Sequence, residues 1–247
     1  MTQRLNKKRA LVTGGSRGIG AAIVKRLASE GADVALTYVS NPDRADEVVK
    51  AAMAHGVQAF AIKADAADPA VTMQAVDRVV EKFGGIDILV NNAGVLMMGQ
   101  IDDLSLEAFD RTYEINIRGV FAATKAAVRH MKPGGRIINI GSCNADRMPF
   151  AGGSAYAMSK SALVGLVKGL SRDLGPRGIT INNIQPGPVD TDLNPATSDF
   201  AKSLLPLMSL GRYSTADEIA GMVAYLASPE SGYITGASLT IDGGFTA

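Results

Sequence analysis

Apolar positions along this chain of 247 residues follow two alternating rhythms. Short runs that are apolar almost throughout, such as Ile88-Leu89-Val90 and Ile137-Ile138, read as strands covered on both faces. Longer stretches with apolar residues three and four apart read as helices packed by one face. The first rhythm predicts strands over residues 9–13, 33–38, 58–63, 86–91, 136–140, 180–185 and 238–241. The second predicts helices over 18–30, 44–55, 70–83, 106–131, 155–174 and 216–227. Strand–helix alternation argues for an α/β architecture, a doubly wound parallel sheet of about seven strands with helices on both faces. No internal repeat or low-complexity linker interrupts it, so residues 1–247 are expected to form one domain. Residues 186–212 break the rhythm and carry Pro186, Pro188, Pro195 and Pro206. An irregular stretch of that length is expected to cover a site as a lid.

Composition narrows the partners. Hydrophobic residues make up 47% of the chain, enough for a sizeable core, and the net charge of +1 gives no bias toward a nucleic-acid polymer or an anionic membrane. The longest apolar runs fall far short of the ~18 residues of a membrane span. The basic start is followed only by Ala10-Leu11-Val12-Thr13, too short for a signal-peptide core, so the expected location is the cytoplasm. Cys143 is the single cysteine, which suits a reducing compartment, and with only His55 and His130 beside it no metal site is expected. No histidine lies near Cys143 to activate it, so it reads as a small residue filling space at a strand end.

Chemistry enters at the end of the first predicted strand, in Thr13-Gly14-Gly15-Ser16-Arg17-Gly18-Ile19-Gly20. A strand, a glycine turn and a helix bring free helix N–H groups up to a pyrophosphate. The glycines at 14, 18 and 20 depart from the G-x-G-x-x-G spacing, but their place after the first strand favours a dinucleotide. The second strand ends Thr37-Tyr38-Val39-Ser40-Asn41 without the acid that would hold a ribose 2′-hydroxyl, and Asp33 lies at its wrong end. Arg17 instead suits a 2′-phosphate, with Ser40 or Asn41 donating hydrogen bonds, so NADP(H) is expected over NAD(H).

A second group lies in the middle of the chain. Tyr156 and Lys160 stand four residues apart on a predicted helix and share a face, and Ser142 follows the strand over 136–140. A tyrosine ionises near ~10, and an adjacent ammonium is expected to lower that value toward the range of a working acid or base.

Taken in order, Thr13-Gly14-x-x-x-Gly18-Ile19-Gly20, Asn91-Asn92-Ala93-Gly94, Asn116, Ser142, Tyr156-x-x-x-Lys160 and Pro186-Gly187-x-x-x-Thr191 resemble the short-chain dehydrogenase/reductase family across essentially the whole chain. The resemblance implies a Rossmann fold, a nicotinamide cofactor and reversible reduction of a ketone to a secondary alcohol. It implies that Tyr156 is the general acid, that Ser142 holds the carbonyl oxygen, and that Lys160 tunes Tyr156 and binds the nicotinamide ribose. Asn116 would support a relay water. Asp65 would meet the adenine amino group, Asn92, Ala93 and Gly94 would pass under the adenosine ribose, and Pro186, Gly187, Val189 and Thr191 would contact the carboxamide and phosphate side. A homotetramer is also implied, through the helices over 106–131 and 155–174 and the C-terminal segment.

The substrate is left open among Cys143, Asn144, Met148, Phe150, Val189, Leu193, Leu204, Leu205 and Met208, an apolar set suited to a ketone with hydrophobic substituents. The C-terminal run from Tyr233 to Gly244 resembles 3-oxoacyl-carrier-protein reductases, for which Arg129 and Arg172 are candidate carrier contacts. The segments around Asn144, Asp146 and Arg147 and around Gln185 to Ala196 resemble a cyclic-di-GMP-binding branch, in which Asn144 and Arg147 would meet a phosphate-bearing ligand.

Overall fold

The computed structural model describes residues 3–247. Its strands are β1 (Arg9–Val12), β2 (Asp33–Tyr38), β3 (Ala59–Lys63), β4 (Ile88–Asn91), β5 (Arg136–Ile140), β6 (Thr180–Pro186) and β7 (Ser238–Ile241). They form one parallel sheet in the order β3-β2-β1-β4-β5-β6-β7. The order reverses between β1 and β4, and in such sheets the crevice beyond the strand ends at that point is where ligands bind. This is the Rossmann arrangement expected above.

Helices α1 (Gly18–Ser29), α2 (Pro42–Met53), α3 (Pro69–Phe83), α4 (Leu106–Tyr113), α5 (Val120–Ala127), α6 (Ser154–Leu174), α7 (Asp199–Leu204) and α8 (Ala216–Ala227) cover both faces. One core packs Ile23, Val24 and Leu27 of α1 and Val223 of α8 on Val34, Ile138 and Ile184. The other packs Val76 and Val79 of α3, Ala123 of α5 and Val167 of α6 on Leu11, Leu89, Ile137 and Ile181. Alternate residues of β5 and β6 enter opposite cores, as the two-residue strand period requires.

Local chemistry sets the helix starts. Asp68 caps α3, accepting from Ala70 N–H at 2.8 Å and Val71 N–H at 3.2 Å, with Pro69 in the first turn. Asn41 caps α2 by accepting from Arg44 N–H at 3.0 Å, and Thr215 with Glu218 makes a capping box on α8.

Three expectations change. The helix predicted over 106–131 is interrupted by a π turn at Glu114–Gly119 and ends at Ala127, so His130 lies in a turn. Its apolar spacing runs on through the π turn, which leaves no mark in the pattern, and such turns gather at functional sites. His55 likewise falls beyond α2. Within the stretch expected to be irregular, Ser198 accepts from Ala201 N–H at 3.1 Å and starts the short helix α7.

Candidate functional site

A cleft of about 960 Å³ runs along the strand ends, from the glycine turn and β2 to Ser142 and the start of α6. At one end Gly14 takes a backbone φ of +64°, and a Cβ at Gly20 would stand 2.3 Å from the Gly14 carbonyl, so backbone must pass close here. Asn92 braces this turn through its side-chain amide, donating to the carbonyls of Thr13 at 3.0 Å and Gly14 at 2.9 Å. The Thr13 hydroxyl accepts the N–H groups of Asn92 and Ala93, both at 3.0 Å. Asn91, one residue earlier, points into the sheet and donates to Asn139 at 2.8 Å and Thr124 at 3.1 Å. The first turn of α1 holds no side-chain cap and no acid, and it faces Thr191, whose methyl lies 3.4 Å from where a Cβ of Gly18 would be. This open N-terminus suits an anion.

Ser16, Arg17, Ile19, Tyr38, Ser40, Asn41, Asp65, Gly94, Pro186, Gly187 and Val189 also line the cleft. Asp33 does not, and instead accepts from Gln58 N–H at 2.7 Å. Asp65 accepts from Arg111 at 2.7 Å and from Ala67 N–H at 3.0 Å. Burial pushes its carboxyl up, but those bonds outweigh it and hold the group below the usual carboxylate range. Arg44 of α2 pairs with Asp192 at 2.7 Å, bridging the helix and the segment after β6.

At the other end stand the groups suited to proton transfer. Ser142 lies two residues beyond β5, and its hydroxyl is oriented by accepting from Asn144 N–H at 3.1 Å. Tyr156 and Lys160 share the cleft face of α6, as their spacing predicted. The Lys160 ammonium donates to the Ile140 carbonyl at 2.8 Å and lies 5.6 Å from the Tyr156 ring centre. Burial lowers the Lys160 pKa to about 8. The expected lowering of Tyr156 is not found: burial pushes the phenol up, with the Ser142 hydroxyl pulling the other way. The phenol therefore stays protonated at neutral pH, the state that a proton donor needs.

Asn116 does not reach the cleft. Its amide oxygen accepts from Val95 N–H at 2.9 Å, and its nitrogen donates to the Val95 carbonyl at 2.9 Å and Ser159 at 3.0 Å. It thus ties the π turn to the segment after β4 and to α6.

The apolar residues divide. Cys143, Asn144, Phe150, Leu193 and Leu204 line the cleft, joined by Phe200 and Phe245, and Phe150 and Phe200 meet edge to face at 5.4 Å. Met208 and Leu205 pack into a cluster with Tyr213 and Phe245 behind the wall, and Met148 lies over Gly153 at the start of α6. These three do not line the cleft, because their side chains are taken up by packing within the fold. Burial pushes the Cys143 thiol up to about 12, with Asp242 adding to it, so the thiol stays protonated and is no nucleophile.

A family model described as enoyl-(acyl carrier protein) reductase matches residues 14–246. The chain is 61% identical to a short-chain dehydrogenase/reductase from Serratia marcescens, with a TM-score of 0.98 over 99% of this chain and 100% of that one. The chain belongs to the short-chain dehydrogenase/reductase family. A Burkholderia cenocepacia short-chain dehydrogenase solved in complex with NADP is 55% identical, with a TM-score of 0.98 over 99% and 100% of the two chains. Among curated proteins, the cyclic-di-GMP-binding biofilm dispersal mediator of Escherichia coli K12 is 50% identical over 97% of this chain and 98% of its own.

Within this family frame, several cleft residues lay beyond sequence reasoning. Arg44 and Arg111 meet partners 148 and 46 residues away, so no local pattern marks them. Phe245 carried one available signal, an isolated aromatic after Gly243-Gly244, and it is 1% exposed.

Proposed function

We propose that the chain is an NADPH-dependent carbonyl reductase that interconverts ketones and secondary alcohols in the cytoplasm. One observation carries the reading: Tyr156, with Lys160 one helical turn on, and an oriented Ser142 close one end of a cleft whose other end is a glycine turn and an open helix N-terminus. The residues present fit the cofactor. The tight turn at Gly14 and Gly20 leads into the uncapped N-terminus of α1, which would take a pyrophosphate, and Thr191 stands beside it. Arg17 has no ion-pair partner among the described residues, and with Arg44 and Ser40 it would hold a 2′-phosphate. Asn41 has its oxygen committed to capping α2, which leaves its amide nitrogen to donate. Asp65, Asn92, Ala93 and Gly94 would flank the adenosine half, and Pro186, Gly187 and Val189 the carboxamide.

NADPH, when bound, supplies a hydride from C4 of its nicotinamide ring. Ser142 Oγ holds the substrate carbonyl oxygen in line with the Tyr156 phenol, which donates its proton to that oxygen. Lys160 would bind the ribose hydroxyls, and its charge would favour the phenolate left behind. Asn116, with its amide committed to Val95 and Ser159, serves a relay water only through its backbone carbonyl. Phe150, Phe200 and Phe245 favour a ketone with hydrophobic substituents. Exposed Leu106, Tyr113, Phe121 and Met158 on α4, α5 and α6 support a homotetramer, which sizing chromatography tests against a monomer.

The deciding experiment is a ketone and aldehyde panel with NADPH and NADH. Turnover with NADPH above NADH is expected, and an inert panel removes the reading. Against a carrier-protein substrate, Arg172 lies sixteen residues after Tyr156 on α6, about 24 Å along the helix, and so sits at the far end of that helix from the cleft. Arg129 follows α5 at that same end of the sheet.

A second reading rests on the name of the Escherichia coli relative: a cyclic-di-GMP-binding regulator on a reductase scaffold. Asn144 lines the cleft, whereas Arg147 donates to the Phe245 carbonyl and is held by the C-terminal segment. Calorimetric titration with cyclic-di-GMP tests it, and an absence of heat excludes it.

A further inference from the structure

A polar frame holds the short turn that carries Ser142, and the side chain of Gln185 stands at its centre. Gln185 lies near the end of β6, opposite Thr240, and is only 2% exposed. Its amide nitrogen donates to the Ser142 carbonyl at 3.2 Å and to the Asp146 carboxylate at 2.8 Å. Both acceptors belong to the turn that leaves β5. The Ser142 carbonyl also accepts Ala145 N–H at 3.0 Å, and Ser161 of α6 donates to the Ala145 carbonyl at 2.8 Å. The turn is therefore fixed from within, from α6 and from β6, and β6 contributes through Gln185 alone among these side chains.

A buried amide is unfavourable unless its hydrogen bonds are made, so an apolar residue would suit this strand position better if packing were the only demand. Gln185 does not line the cleft and cannot touch a substrate there. What it does reach is the backbone of Ser142, whose hydroxyl direction follows from where that turn sits.

We propose that Gln185 is a positioning residue for Ser142, acting through the Ser142 carbonyl and Asp146. The proposal rests on the reductase reading of the same site. Without the amide, the turn keeps only the Gly141 N–H bond to the Ile184 carbonyl as its hydrogen bond to β6, and the Ser142 hydroxyl drifts from the carbonyl oxygen it must hold. A displacement of about 1 Å at a reacting centre costs up to about 100-fold in rate.

The test is steady-state ketone reduction by the full chain, comparing wild type, Gln185→Ala, Ser142→Ala and the double variant. Gln185→Ala is expected to lower kcat by about 10- to 100-fold while KM for NADPH stays within about twofold. In the Ser142→Ala background the same substitution is expected to lower kcat no further, because the group it positions is gone. Asp146 is exposed, so Asp146→Ala carries the test if Gln185→Ala does not fold. It is expected to lower kcat, with Asp146→Asn restoring it, since an amide oxygen still accepts from Gln185. Wild-type kcat in both Gln185→Ala and Asp146→Ala, or losses that multiply in the double variant, overturns the proposal. A wild-type protein inert toward every ketone brings down the reductase reading and this proposal together, whereas active wild type with unaffected variants overturns this proposal alone.

Discussion

Asn116→Ala removes the tie between the π turn, the segment after β4 and α6. Three hydrogen bonds are lost, at 2.9, 2.9 and 3.0 Å, from a side chain that is 0% exposed. Each contributes on the order of 1 kcal/mol, and the Val95 N–H and carbonyl lose their partner, so the expected loss is about 3 kcal/mol. For a chain of this length that corresponds to a fall in Tm of roughly 6–12 °C. Thermal unfolding at one fixed protein concentration checks it, since a change in assembly would shift Tm by itself. The Lys160 ammonium and the Asn116 amide oxygen both lie 3.4 Å from where a Cβ of Gly94 would stand, so reductase activity is expected to fall as well. A drop in Tm below about 2 °C would refute the view that Asn116 clamps these elements together.

Ketone reduction is expected to fall as pH rises through about 8, because burial lowers the Lys160 pKa to that value and its charge is present only below it. A pH profile of kcat flat from 7 to about 10 would contradict this. If the proposed 2′-phosphate site is right, Arg17→Ala and Arg44→Ala are each expected to raise KM for NADPH by about 10-fold or more while leaving NADH unchanged, since each would remove a charged hydrogen bond to that phosphate. Equal effects on both cofactors would place those arginines elsewhere. Phe200→Ala is expected to raise KM for bulky hydrophobic ketones but not for small ones, because it removes one side of the Phe150–Phe200 pair.

The fold was legible because its signals are local. Apolar runs marked the strands and helices, and the caps that start α3 and α8, Asp68 and Thr215 with Glu218, depend only on neighbouring residues. The placing of Tyr156 and Lys160 together on one face of α6 was legible for the same reason, since they are one helical turn apart. What escaped depends on contacts distant in sequence. The π turn at Asn116 is set by Val95 and Ser159, and the Arg44–Asp192 and Arg111–Asp65 pairs form only once the sheet brings their elements together. Met208 and Leu205 have the composition of a pocket wall, and only the path of the chain after α7 assigns them to packing instead. The raised pKa of Tyr156 likewise comes from burial, which helical spacing does not report.

Ketone-dependent NADPH oxidation by wild type and Tyr156→Phe, with NADPH affinity measured on both, tests the central claim most directly. The account predicts turnover in wild type that falls by at least about 100-fold in the variant while NADPH still binds. A Tyr156→Phe protein that reduces the same ketone at the wild-type rate would contradict it.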